Sequence, residues 1–172
     1  MPVSEHAFQT LLLSKAADLE RAIAALQDAE AKQRRLKSNH PDAYDEAFHA
    51  AGIAQHIQGI YTQLESLLKQ VIEQTDGTLP KSETWHQDLI RLASMPTEDR
   101  GALINAAGAK SLKSVLGFRH VARSNYVGEL DPERVFEHIP NTAAAVAAVV
   151  AGVRQLFETP EAPTDRAVER DA

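Results

Sequence analysis

Apolar residues return at alternating steps of four and three along two long stretches of this chain, and that rhythm leaves few folds open. Leu12, Ala16, Leu19, Ile23 and Leu26 follow it between about Glu5 and Lys37. Ile53, Ile57, Ile60, Leu64, Leu67 and Val71 follow it between about Asp42 and Gln74. Such steps return a side chain to the same helical face at each turn, so each stretch is predicted to be a long helix with one apolar stripe. Ser38-Asn39-His40-Pro41-Asp42 supplies the turn between them. Helices of this length joined by so short a turn run antiparallel, seam against seam. No segment alternates as a strand would. The expected fold class is all-α, an antiparallel helical bundle built on a two-helix hairpin.

The remainder of the chain is read from its punctuation. Gly77 suits the left-handed position after the second helix. Ser82 is the expected cap of a short helix containing Trp85, Leu89, Ile90 and Leu92, which Pro96 ends. Thr97, with Glu98 and Asp99, is the expected start of another helix. Gly108 is read as an interruption before a helix from about Lys110 to Tyr126. Asp131 as N-cap and Pro132 at the first helical position open a final helix to about Glu158, kinked or broken at Pro140. The helical domain therefore covers residues 1–158, and the polar residues 159–172 form a flexible tail. Many core positions are alanine, which gives a thin core and makes dimerisation through the apolar seam an expectation.

Charge and composition narrow the function. The net charge of −6 over 172 residues argues against broad, nonspecific nucleic-acid binding, though a confined basic cleft remains open. There is no cysteine, hence no disulfide framework or thiolate chemistry. Residues 1–10 do not read as a signal peptide, and the longest apolar run, Ala143 to Val153, is too short to span a bilayer. A cytoplasmic protein without a membrane partner is expected.

One local reversal of sign stands out. Between Lys110 and Arg123 no acidic residue occurs, while Lys110, Lys113, Arg119, His120 and Arg123 all do. On an ideal helix Arg119, Arg123 and Tyr126 share the face that carries Leu112, Val115, Leu116 and Ala122. Burying an unpaired cation is costly, so guanidiniums in an apolar stripe point to a small anion site, most plausibly for phosphate. The plainer alternative is a pair of structural cations met by carboxylates such as Glu65 on a neighbouring helix. Trp85 and His86 read as a packing residue and a surface histidine. Glu46-x-x-His49 has the spacing of a di-metal carboxylate site, but no second such pair accompanies it, so no metal and no cofactor is expected.

The chain between about Ala50 and Val135 resembles the HEPN superfamily, and within it the HepT-like toxins. Residues 60–69, Asp76-Gly77-Thr78-Leu79-Pro80 with Trp85-His86, and Phe118-Arg119-His120 with Arg123, Tyr126, Glu129-Leu130-Asp131 and Val135 carry the likeness in order. The resemblance implies a homodimer whose paired signature helices form a metal-independent endoribonuclease site, the toxin of a type VII toxin–antitoxin system. It also implies an MntA-like nucleotidyltransferase antitoxin that adds AMP to a tyrosine. In this family an arginine and a histidine four to six residues apart carry cleavage. Arg119 matches the arginine and Tyr126 the modified tyrosine, but Ser124 stands at the histidine position. The implied catalytic set is Arg119, His120 and Ser124; Arg119, Arg123 and Asn125 are the implied RNA contacts. A HEPN protein that binds RNA or its nucleotidyltransferase partner without cleaving is the alternative.

Overall fold

The computed structural model describes residues 5–124 and 130–158, with the backbone but not the side chain of Ser124. Five α-helices and no strand occur among the described residues. They are α1 (Glu5–Asn39), α2 (Glu46–Asp76), α3 (Trp85–Ala93), α4 (Ala106–Ser124) and α5 (Pro132–Gln155). A single 3-10 turn, Pro41–Ala43, separates α1 from α2.

The hairpin seam forms as its spacing requires. Leu12, Ala16, Leu19 and Leu26 of α1 are buried, as are Ile53, Ile57, Ile60, Leu64, Leu67 and Val71 of α2. Ile23 is only partly buried. The second helix starts four residues later than Asp42, because Asp45 caps it by accepting from the Phe48 amide. Gly77 ends it at φ 73°. The fifth helix packs against α1, α2 and α4, and α3 bridges α2 and α4. By length and composition α5 is apolar enough to cross a membrane. Here Val135, Ile139, Val146, Val149 and Val153 lie in the bundle core.

Four expectations are corrected. Ser82 does not cap α3: Thr84 holds the N-cap position without a side-chain bond, and the Ser82 hydroxyl donates to Asp88. No helix begins at Thr97. Residues 94–105 form an irregular loop held by a buried side chain, with Arg100 donating to the Met95 and Gly101 carbonyls within it and to the Leu92 carbonyl of α3. Satisfied in this way, the backbone has no need of helical bonds. The fourth helix begins before Gly108, capped by Asn105, whose side chain accepts from the Gly108 amide at 2.8 Å. Gly108 is therefore a contact and not an interruption: a Cβ there would sit 2.5 Å from the Ala148 Cβ of α5. Gly152 plays the same part, since a Cβ on it would overlap the Leu103 carbonyl. Finally, α5 passes through Pro140 unbroken. Pro140 is exposed, so water can satisfy the carbonyl its missing N–H leaves free. Asp131 caps this helix by accepting from the Glu133 amide, and it ends at Gln155, three residues short of Glu158. The anticipated tail, 159–172, lies outside the described residues.

Candidate functional site

Tyr61, Glu65 and Lys69 lie one turn apart on α2 and so share one edge of that helix. The start of α3 and the C-terminal half of α4 meet this edge. Tyr61 and Glu65 are buried there. Arg119 of α4 reaches in with its side chain 15% exposed, its Nη1 3.7 Å from Glu65 Oε1. Its guanidinium carbon lies 5.2 Å from the centre of the Tyr61 ring, within cation–π range. Burial, and after it the charge of Glu65, push the Tyr61 phenol far above its ordinary range, while Arg119 pulls the other way. Tyr61 is therefore neutral at every physiological pH, an aromatic floor for the guanidinium.

Glu65 makes its tight contact elsewhere. The same Oε1 atom is hydrogen-bonded to Nδ1 of His86, the second residue of α3. His86 stacks on Trp85 with ring centres 3.6 Å apart. Lys69 Nζ stands 3.7 Å above the Trp85 ring. The His120 ring meets His86 edge-on at 6.3 Å. The cluster thus sets one carboxylate, Glu65, against two cations, Arg119 and Lys69, with the imidazoles of His86 and His120 beside them, a balance that favours an anion. At 3.7 Å the Arg119–Glu65 contact is longer than an N–H···O hydrogen bond, so Glu65 neighbours the guanidinium without saturating it.

The residues singled out in the sequence fare differently. Arg119 is part-buried and paired with Glu65, the partner considered for it. Arg123 does not share that environment: it is exposed, in the last turn of α4, while Ala122 takes the buried position. The expected common apolar face for the two arginines is therefore replaced by one recessed and one exposed cation. His120 lies beside the cluster and is itself exposed. The backbone of Ser124 ends α4, and Asn125 and Tyr126 lie outside the described residues. His86 belongs to the cluster, where the sequence had suggested a surface histidine. Its partner Glu65 is 21 positions away, and no local spacing encodes the pair.

Other groups are engaged elsewhere. Glu46 pairs with Lys37 at 2.5 Å, and His49 stacks on Tyr44 at 4.6 Å. No group of three or more His, Asp or Glu side chains suited to a metal occurs among the described residues. Two clefts lie apart from the cluster. One of about 740 Å³ is lined by residues including Arg34, Lys37, Glu46 and Glu133. The other, about 510 Å³, is lined by residues including Phe118, Val121, Val135 and His138.

A family model described as "HepT-like protein" matches residues 52–159, more than half of the chain. That span contains Tyr61, Glu65, Lys69, Trp85, His86, Arg119 and His120. No curated protein and no solved structure matches.

Proposed function

The chain belongs to the HepT-like proteins of the HEPN superfamily, and from that premise we propose that it is the toxin of a type VII toxin–antitoxin pair, acting on RNA through Arg119. The observation that carries this reading is the setting of Arg119: a recessed guanidinium, still open to solvent, among Lys69, His86 and His120. A guanidinium so placed grips a phosphodiester through two parallel hydrogen bonds and stabilises charge developing on phosphorus. Arg123, exposed one turn beyond, supplies a further contact to the RNA backbone, and Asn125 is a further candidate contact by the family likeness. The working form is a cytoplasmic homodimer. An MntA-like nucleotidyltransferase silences the toxin by transferring AMP to Tyr126, and the added phosphate and purine compete with RNA.

The test is cleavage of RNA by the purified protein, compared with Arg119→Ala. Product from the wild type, lost in the variant, supports the reading; equal product from both sinks the role of Arg119. Intact-mass measurement after incubation with the nucleotidyltransferase and ATP should show AMP on the wild type and none on Tyr126→Phe. A second reading follows from Ser124, whose hydroxyl cannot accept a proton near neutral pH as the expected imidazole would. On that reading the protein binds RNA or its partner without cutting, and gives tight binding with no product.

A further inference from the structure

Cleavage through the ribose 2′-hydroxyl needs a proton acceptor, and position 124 does not offer one. An acceptor stands elsewhere in the same chain. An ionised carboxylate only accepts hydrogen bonds, so in the His86–Glu65 contact Nδ1–H is the donor. That tautomer leaves Nε2, on the far side of the ring, as the basic nitrogen. Trp85 covers the ring at 3.6 Å and, with Glu65, fixes its orientation. His86 retains 21% of its side-chain surface open to solvent. Glu65 Oε1 touches both His86 and Arg119, so the base and the phosphate-binding cation are neighbours across a single oxygen atom.

We infer that His86, oriented by Glu65, is the proton acceptor beside Arg119, in place of the imidazole absent at position 124. This rests on the ribonuclease reading above, and the substrate class is an RNA phosphodiester with a free 2′-hydroxyl. His86 Nε2 takes the 2′-hydroxyl proton, and the 2′-oxygen forms a bond to phosphorus. The bond from phosphorus to the 5′-oxygen breaks, and that oxygen leaves with the electron pair and takes a proton from water. The imidazolium returns its proton to solvent. The products are a 2′,3′-cyclic phosphate and a 5′-hydroxyl, and nothing is oxidised or reduced. Arg119 holds the non-bridging oxygens. Glu65 is a positioning residue that acts through the ring. Among the described residues, the charged and titratable groups near His86 include Glu65 and, beyond Trp85, Lys69 from α2, with Arg119 and His120 from α4.

The full chain is compared with Arg119→Ala, His86→Asn, His86→Ala and Glu65→Gln on a labelled RNA. Binding is followed by fluorescence anisotropy and cleavage by gel. Asparagine keeps a donor for Glu65 and removes the base. His86→Asn should bind RNA like the wild type and cleave it about 100-fold more slowly, or worse. Added imidazole should restore cleavage to His86→Ala and not to Arg119→Ala. Glu65→Gln should lower kcat more than it raises KM, because the ring loses the carboxylate that orients it. RNA with a 2′-deoxy residue at the cleavage point should bind and resist. Wild-type cleavage by His86→Asn, with Arg119→Ala inactive, overturns the assignment and leaves the ribonuclease reading standing. Loss of binding together with cleavage in both His86 variants, without imidazole rescue, also overturns it. A wild type that cleaves no RNA at any pH overturns the ribonuclease reading, and the assignment with it.

Discussion

Arg100 and Arg119 each face a carboxylate of α2, Asp76 and Glu65 respectively, and the two pairs behave in opposite ways. The Arg100 side chain is fully buried. Its Nε and Nη2 bond the two Asp76 oxygens at 3.0 and 2.6 Å, and Nε also meets Thr75. Its remaining donors go to the Leu92, Met95 and Gly101 carbonyls. All three nitrogens are spent on the protein. Arg119 has an aromatic floor, partial exposure and a carboxylate at 3.7 Å that is already bonded to His86. A saturated guanidinium fastens a loop; one that its described neighbours do not saturate has donors to offer a ligand.

Substitutions test that contrast. Arg100→Ala should destabilise the fold most, by about 3–5 kcal/mol, because it strands Asp76 and three carbonyls. Urea unfolding measures it, and Arg100→Lys should recover little, since an ammonium cannot reproduce the fork. Arg119→Ala should cost less, about 1–2 kcal/mol, while weakening RNA binding and its salt dependence. Equal stability losses at the two positions would erase the distinction. His138 of α5 probes the opposite side of α4, 4.5 Å from the Phe118 ring and 3.5 Å from Ser114. Burial holds its pKa below the ordinary 6.5, opposed in part by the Glu137 charge. The unfolded chain then takes up that proton first as pH falls, so stability is full above 6.5 and declines below it. His138→Gln should flatten the decline, seen in unfolding midpoints at about pH 7 and about pH 5.5, without altering RNA cleavage at neutral pH. The exposed Lys37–Glu46 pair should matter least, and Lys37→Ala should leave the urea midpoint unchanged.

The long elements were legible because their signal repeats over many turns. Every α2 position in the predicted stripe is buried, and Gly77 and Asp131 end and begin helices as their chemistry requires. The loop after α3 was not legible. Thr97, Glu98 and Asp99 carry start signals, but the side chain that organises this loop, Arg100, draws on Thr75 and Asp76, more than twenty residues away. The sequence reading sets the start of α4 too late, at about Lys110: Asn105 caps it by accepting from the Gly108 amide, three residues on. Within the site, helical spacing located Arg119 and suggested Glu65 as its partner. It could not foresee that the last turn of α4 leaves Arg123 in solvent, or that α3 delivers His86 to Glu65.

Gly108 meets Ala148 near one end of α4, and Arg119 lies eleven residues further along, about 16 Å down the axis. The absent methyl group is thus the fulcrum of a lever whose far tip carries the guanidinium. Wedging the two helices apart at that point would swing the tip through an arc and turn a small steric error into a misaimed hand.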